Sequence, residues 1–394
     1  MWKIIDIFLL IGATTVLVPI LVLSIECFAA LLPGKSEDSD DSTQRPQIAV
    51  LVPAHNEASG IAATLQAIQP QLTAIDRLVV VADNCEDETA AIARNLGATV
   101  VERQDPEKKG KGYALDYGIQ YLAADPPEVV VIIDADCDVS PETIEKIATL
   151  AEVSQKPVQA TYLMAFPPNS SLSNQVSAFA FKVKNLVRPF GLRKLGLPCS
   201  LMGTGMAFPW SVISQAPLAS GNIVEDMQLG VDLAICSHST IFCADTVVQG
   251  RLPQQQEATV TQKTRWEHGH LQIILTQSPK LVKEAIKQKR WELLTMALDL
   301  SVPPLSLLTF LWLAIASLSL FAGILGGIWS PIILSSIAGL LLFSSIIMTW
   351  AKFARDELQL SKLFFIPVYM LQKIPLYLRF LVKPQKIWIR TQRD

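Results

Sequence analysis

The hydrophobic positions along this chain fall into two textures. Residues 7–25 carry no charge and match the ~20 residues a spanning helix needs. Residues 302–350 are also free of charge, with Gly323, Gly326, Gly327, Ser330 and Pro331 in the middle. That is a turn signal, so the pattern predicts two spans, 303–325 and 329–350, joined by a tight hairpin. Between these blocks the apolar runs are short. Residues 48–53 (IAVLVP), 78–82 (LVVVA) and 129–133 (VVVII) read as strands buried on both faces. Residues 99–102 read as a further short strand. Helical patterns at 58–68, 88–96 and 113–123 alternate with them. Short strands alternating with helices predict an α/β domain with a mostly parallel sheet.

The remaining segments complete the layout. Residues 35–46 (KSEDSDDSTQRP) are acidic, polar and without periodicity, as in a linker. Residues 364–382 are apolar but hold Lys373 near the centre, with Arg379, Pro367 and Pro375. A central lysine costs about 2.5–3.5 kcal/mol in a membrane, so this segment is expected to lie in the membrane plane. The predicted organisation is an anchor at 1–32, a linker at 33–46 and a catalytic domain at 47–275. A basic juxtamembrane segment at 276–301, a hairpin at 302–350 and a basic tail at 351–394 follow.

Composition agrees with a membrane protein: 50% hydrophobic, 18% charged, mean hydropathy +0.35. No A-x-A-like cleavage site follows the first apolar run, which favours an anchor over a signal peptide. The net charge of −3 argues against a dedicated nucleic-acid binder, which needs a basic field. The six cysteines form no CxxC pair, so neither a zinc site nor a disulfide framework is indicated, and a reducing compartment fits. Lys283, Lys287, Lys289 and Arg290 precede the hairpin, and Lys352 and Arg355 follow it. Residues 351–394 hold nine Lys/Arg against three Asp/Glu. The positive-inside bias places both flanks in the cytosol, giving a multi-pass protein of the plasma (inner) membrane with a cytosolic catalytic domain.

Ligands of open α/β sheets sit beyond the carboxyl ends of the strands. Three polar clusters lie there: Pro53-Ala54-His55-Asn56-Glu57, Asp83-Asn84-Cys85 and Asp134-Ala135-Asp136-Cys137-Asp138. In an extended strand, Asp134 and Asp136 point to one side. Paired carboxylates suit a hard divalent ion, Mg²⁺ or Mn²⁺, bound together with substrate phosphates. Lys108, Lys109 and Lys111 surround Gly110 ahead of a helix and could hold phosphate or form a solvated loop. There is no GxxxxGK[ST] sequence, so a P-loop is not indicated. Glu225-Asp226 precedes a helical run at 228–235 and could cap it or serve as a base. In Gln262-Lys263-Thr264-Arg265-Trp266, the guanidinium could hold diphosphate while the indole stacks on a sugar; an amphipathic juxtamembrane stretch is the other reading. His268 and His270 could ligate metal or be structural.

The ordered set PAHNE, Asp83, DAD, ED and QxxRW, flanked by apolar segments, resembles the family 2 glycosyltransferases. The likeness is to the membrane-integrated branch of cellulose, chitin, hyaluronan and poly-N-acetylglucosamine synthases and ceramide glucosyltransferase. It covers about residues 45–275 and implies a GT-A (Rossmann-like) fold and inverting transfer from a nucleotide-sugar donor, UDP-linked in the usual case. The resemblance implies that Pro53, His55, Asn56 and Glu57 cradle the nucleotide and Asp83 meets the base. It implies that Lys111 faces the phosphates, Asp134 meets ribose or diphosphate, and Asp136 holds the metal. Gly203-Thr204-Gly205 is similar to the acceptor loop, Asp226 to the catalytic base, and Gln262, Arg265 and Trp266 to the acceptor and diphosphate motif. Implied partners are a saccharide or glycolipid acceptor, the bilayer and other exopolysaccharide assembly proteins. Three spans are few for enclosing an export channel. A polyprenyl-phosphate glycosyltransferase and a non-catalytic membrane scaffold are the alternatives; the first generally lacks QxxRW, and the second should have lost a carboxylate motif.

Overall fold

The computed structural model describes residues 2–33, 44–165, 171–251 and 256–382. Most of the acidic linker and the last part of the basic tail lie outside these. The described residues divide into two compact units. One draws on 1–34, 167–197 and 270–384, the other on 35–166 and 198–269. Residues 171–197, which lie inside the 47–275 expected as one catalytic domain, group with the helical unit. Their amphipathic helices carry no long apolar run that would have set them apart.

The α/β unit is built on one eight-stranded sheet. Its strands are β1 (Ile48–Ala54), β2 (Arg77–Asp83), β3 (Thr99–Arg103), β4 (Val129–Ile132), β5 (Cys137–Val139), β6 (Val158–Ala165), β7 (Met206–Pro209) and β8 (Ile241–Arg251). The order is β3-β2-β1-β4-β7-β6-β8-β5. β1, β2, β3 and β4 pair in parallel, as their continuous apolar runs predict. The second half is mixed: β7 runs antiparallel to β4 and β6, β6 is parallel to β8, and β5 is antiparallel to β8. Both faces of the sheet are covered. Ile61, Leu65 and Ile68 of α2 (Ile61–Ile68) pack with Val50, Val52 and Val80 on one side. Leu115 and Leu122 of α4 (Lys111–Leu122) pack with Leu51, Val79 and Val81 on the other. Burial on both faces is why these strands show no polar alternation.

The helical unit contains α1 (Trp2–Leu31), α6 (Leu172–Lys182), α7 (Arg188–Lys194), α11 (Trp291–Leu300), α12 (Leu305–Ile324), α13 (Ser330–Phe353) and α15 (Ile366–Val382). Among the described residues, four helical segments are long and apolar enough to cross a membrane: Lys3–Leu31, Leu305–Ile324, Ser330–Phe353 and Leu360–Val382, with mean hydropathies of 2.5, 2.2, 2.2 and 1.2. Their outer faces are apolar, with Phe8 70% and Leu340 74% exposed, which suits lipid better than water. The predicted hairpin is α12 and α13. A Cβ on Gly339 would lie 2.4 Å from the Trp312 ring, so glycine permits this close crossing. The Trp312 indole N–H donates to the Ser335 carbonyl at 2.8 Å. Asp6 Oδ1 accepts from the Ile328 N–H (3.3 Å) at the hairpin turn, while Lys352 donates to the Ala30 carbonyl (3.0 Å). The end of α1 that leads to the α/β unit thus lies with the basic base of the hairpin. In the fourth segment Lys373 is 9% exposed and stacks over the Tyr369 ring at 5.4 Å. The lysine on which the in-plane expectation rested is therefore packed against protein.

Sequence reasoning gave no hint of a buried ion cluster in this unit. Arg188 donates to Glu26 Oε2 and to Asp299 Oδ1, each at 2.6 Å. A Cβ on Gly191 would meet the Glu26 carbonyl at 1.9 Å, so only glycine lets α7 lie this close to α1. Breaking such a buried network by removing one partner typically costs about 3–5 kcal/mol.

Candidate active site

The parallel arrangement of β2, β1 and β4 brings their carboxyl ends to one edge of the sheet, and each end carries one of the polar clusters. After β1 the chain turns through Asn56, at φ 54°. His55 Nδ1–H donates to the Asp83 carbonyl (2.6 Å), and Asn56 Oδ1 accepts from the Glu86 N–H (2.7 Å). The Glu57 N–H donates to Thr89 Oγ1 (2.8 Å) and the Ala58 N–H to Asp87 Oδ2 (3.1 Å). The predicted PAHNE loop is thus sewn to the loop after β2. Residues 57–60 form a turn, so α2 begins three residues later than the pattern predicts.

Asp83 is only 5% exposed and pairs with Arg103 at 2.6 Å. Arg103 also donates to the Lys108 carbonyl (2.9 Å) and to Asp105 (3.1 Å), and lies over the Tyr113 ring at 5.6 Å. Arg103 therefore fixes the lysine-bearing loop against the end of β2. Sequence reasoning missed it; the available signal was an arginine closing an apolar strand two residues before an aspartate.

Asp134 and Asp136 flank a turn rather than lying in one extended strand, because Ala135 and Asp136 turn between β4 and β5. Their carboxylates still converge, and ligand atoms of Asp134, Asp136 and Cys137 lie within 4.8 Å of one another. Burial and the neighbouring carboxylates hold the Cys137 thiol well above its usual pKa. The two carboxylates fit a hard, oxygen-seeking cation. Among the described residues no other group of three or more His, Cys, Asp and Glu converges in this way. His268 and His270 are buried in α10 (Gln256–Gln288), outside that group. Burial, with Lys184 and Arg188 nearby, pushes the His270 pKa well down, so it is neutral.

Lys111 opens α4 and reaches into the same place. It pairs with Asp134 and donates to the Gly203 carbonyl at 2.6 Å. The charges of Asp134, Glu225 and Asp226 outweigh its desolvation and raise its pKa. Gly112, next to it, has no room for a side chain: a Cβ would lie 2.5 Å from the Leu218 carbonyl and 2.6 Å from that of Ser220. The Gly203-Thr204-Gly205 loop is held by Asp134 and by a group the sequence reading overlooked, Gln159. Thr204 Oγ1 accepts from the Asp134 N–H (3.0 Å). Gln159, fully buried in β6, donates to the Thr204 carbonyl (2.9 Å) and accepts from the Met202 N–H (2.8 Å). A lone glutamine in an apolar strand was the signal.

Glu225 and Asp226 form the first turn of α9 (Glu225–Ile235), which starts three residues before the expected run. At φ 93°, Gly203 lies so close that a Cβ there would be 3.3 Å from Asp226 Oδ2. Desolvation first, then the charge of Asp226, raises Glu225 to about 7, against the opposing pull of Lys111. Gln262, Arg265 and Trp266 sit at i, i+3 and i+4 on α10, so they share a helix face. A Cβ on Gly269 would lie 2.4 Å from Val224, which seats α10 against the start of α9 one to two turns beyond the motif. Gln262 is 3% exposed, and its Oε1 meets no hydrogen-bond partner among the described residues.

Sheet order and site together define a GT-A-like α/β domain, with acidic and lysine side chains gathered at the switch between its parallel and mixed halves. The model of the glycosyltransferase-like family 2 matches residues 46–269, more than half of the 394 residues. The chain belongs to this family and is by class a glycosyltransferase. It is similar to the low-salt glycan biosynthesis hexosyltransferase Agl6 of Haloferax volcanii, with 34% identity over 114 residues, 28% of this chain and 26% of that protein. It is also similar to the probable glycosyltransferase YdaM of Bacillus subtilis, with 24% identity over 278 residues, 64% of this chain and 60% of that one. The chain thus spans less than two thirds of the length of either relative. Among solved structures, the mannosyltransferase PcManGT of Pyrobaculum calidifontis, in complex with GDP-Man and Mn²⁺, shares the fold. It has a TM-score of 0.55 and 18% identity over 91% of this chain and 100% of that one.

Proposed function

We propose that this protein is a membrane-bound, metal-dependent, inverting glycosyltransferase that moves a sugar from a nucleotide donor to a saccharide or glycolipid acceptor. The observation that carries the reading is the meeting of Lys111, Asp134, Gly203 and Asp226 at one sheet edge. It joins a carboxylate of the DAD turn, a cation, a backbone carbonyl and a positioned carboxylate from four separate segments. Asp136 and Asp134 would hold Mg²⁺ or Mn²⁺, which when bound offsets charge on the departing diphosphate. The fold neighbour's Mn²⁺ supports that choice. Pro53, His55, Asn56, Glu57 and Asp83 form the nucleotide end. Lys111 turns from Asp134 toward the donor phosphates, and Asp226 accepts the proton of the acceptor hydroxyl as it attacks. Gln262, Arg265 and Trp266 close the diphosphate and acceptor side. The unsatisfied Gln262 carbonyl supports this, since leaving such a buried group unpaired costs about 1–3 kcal/mol.

In this reading the α/β unit faces the cytosol, where nucleotide sugars are made. The protein sits in the plasma membrane and serves a cell-surface polysaccharide or glycolipid, as in the membrane-integrated branch named above. The basic base of the hairpin supports that orientation. A reporter fused after residue 290 should read cytosolic; an external reading would reverse the topology. The function itself is tested by screening nucleotide sugars with the purified full-length protein, with and without chelator. Donor cleavage or transfer that requires Mn²⁺ or Mg²⁺ is expected. Full activity in excess chelator would overturn the metal, and cleavage of no nucleotide sugar would overturn the reading.

A further inference from the structure

A cavity of about 260 Å³ opens beside Asp226. It lies below the ~300–1,000 Å³ typical of drug-sized ligands and has room for one sugar-sized group. Its polar lining comes from Lys111, Ser220, Asn222, Glu225, Asp226, Gln228 and Asp232, and its apolar walls include Leu115, Met206 and Leu218. We propose that this cavity holds the acceptor's head and that Gln228 and Asp232 select a neutral, hydroxyl-bearing group over an anionic one. The inference rests on the glycosyl-transfer reading and adds the acceptor's chemistry.

Residues 225, 228, 229 and 232 recur at i, i+3, i+4 and i+7, one face of α9, and that face lines the cavity. Gln228 Nε2 donates to Asp232 Oδ2 at 2.9 Å, so the two form a fixed polar pair about one turn beyond Asp226. Asp226 and Asp232 bring two carboxylates to the cavity, and the lysine there is already engaged by Asp134 and the Gly203 carbonyl. A phosphate or carboxylate in the cavity would meet like charges. Hydroxyls have the opposite fit, because they donate to carboxylates and to an amide carbonyl. The apolar walls suit the C–H face of a sugar ring. Asp232 and Gln228 are thus specificity-determining residues, and a phosphorylated lipid is disfavoured as the group that enters here.

The test uses full-length protein in nanodiscs and saturation-transfer NMR titration. The probes are the methyl glycosides of glucose, mannose, galactose and N-acetylglucosamine, each against its 6-phosphate. At least one methyl glycoside should bind, with its 6-phosphate weaker by about tenfold or more, the equivalent of ~1.4 kcal/mol. Asp232→Lys should close or reverse that gap, and Asp232→Asn should narrow it should the lysine variant not fold. Metal-dependent donor binding serves as the check on folding. Phosphates that bind as well as their parents, a panel in which nothing binds, or a gap unchanged in the folded variants would overturn the proposal. Absence of all donor cleavage would instead sink the glycosyl-transfer reading beneath it.

Discussion

The two ends of the candidate site are built on opposite principles. At the end formed by the loops after β1 and β2, the acidic side chains that hold the loops together are met by donors. Asp83 pairs with Arg103, Arg103 also bonds Asp105 and the Lys108 carbonyl, and Asp87 accepts from Thr89 and Ala58. At the other end, Glu225 and Asp226 stand side by side in one helical turn, and the lysine between them and Asp134 serves three carboxylates. The first arrangement fixes shape; the second concentrates charge that the fold gains nothing by burying. Such charge is what a site keeps when chemistry rather than stability selects it.

Asp136→Asn should have the largest effect. It removes one of the two converging carboxylates, and metal-stimulated turnover should vanish while the protein still folds. Activity without metal, equal to wild type, would break the comparison at its charged end. Arg103→Ala attacks the other end. It leaves Asp83 buried without its partner, a loss of about 3–5 kcal/mol in comparable networks, read as a fall in the denaturation midpoint of the α/β unit. A midpoint within experimental error of wild type would show that the nucleotide end is not held by this pair.

Glu225→Gln should have the smallest effect, and its sign is opposite. Glu225 titrates near 7 in the fold against 4.5 for an unburied glutamate. The folded state therefore holds an extra proton between those values, and stability falls as pH rises through that window. The buried negative charge is half formed near pH 7 and nearly complete by pH 8. The glutamine variant should then melt higher than wild type at pH 8 by more than at pH 5. A lower melting temperature at pH 8 would mean that Glu225 stabilises as an anion.

The same contrast governs what the sequence could disclose. β1, β2 and β4 stood out because burial on both faces leaves an unbroken apolar run. β5, with three residues, and β7, ending in Pro209, are too short to carry a period, and their antiparallel partners are distant in sequence. Asp134 and Asp136 were recognisable as a pair, although the turn that joins them was not. Arg103 and Gln159 escaped notice because their role is to hold backbone groups from remote loops, which leaves no local spacing. The i, i+3, i+4 spacing of Gln262, Arg265 and Trp266 fits the helix that carries them, yet the seating of that helix against Val224 depends on Gly269 having no side chain. In the helical unit, charge-free runs marked α1, α12 and α13. Arg188 could not be tied to Glu26 and Asp299 without the fold.

The central claim is that the charge at Asp226 exists for chemistry. Single-turnover transfer by Asp226→Asn, measured at saturating donor and beside a donor titration on the same sample, tests it most directly. General-base help is typically worth about 10²–10⁴-fold, so transfer should fall by that much with donor affinity nearly unchanged. Loss of donor affinity with turnover preserved at saturation would contradict the account and make Asp226 a binding or helix-start residue.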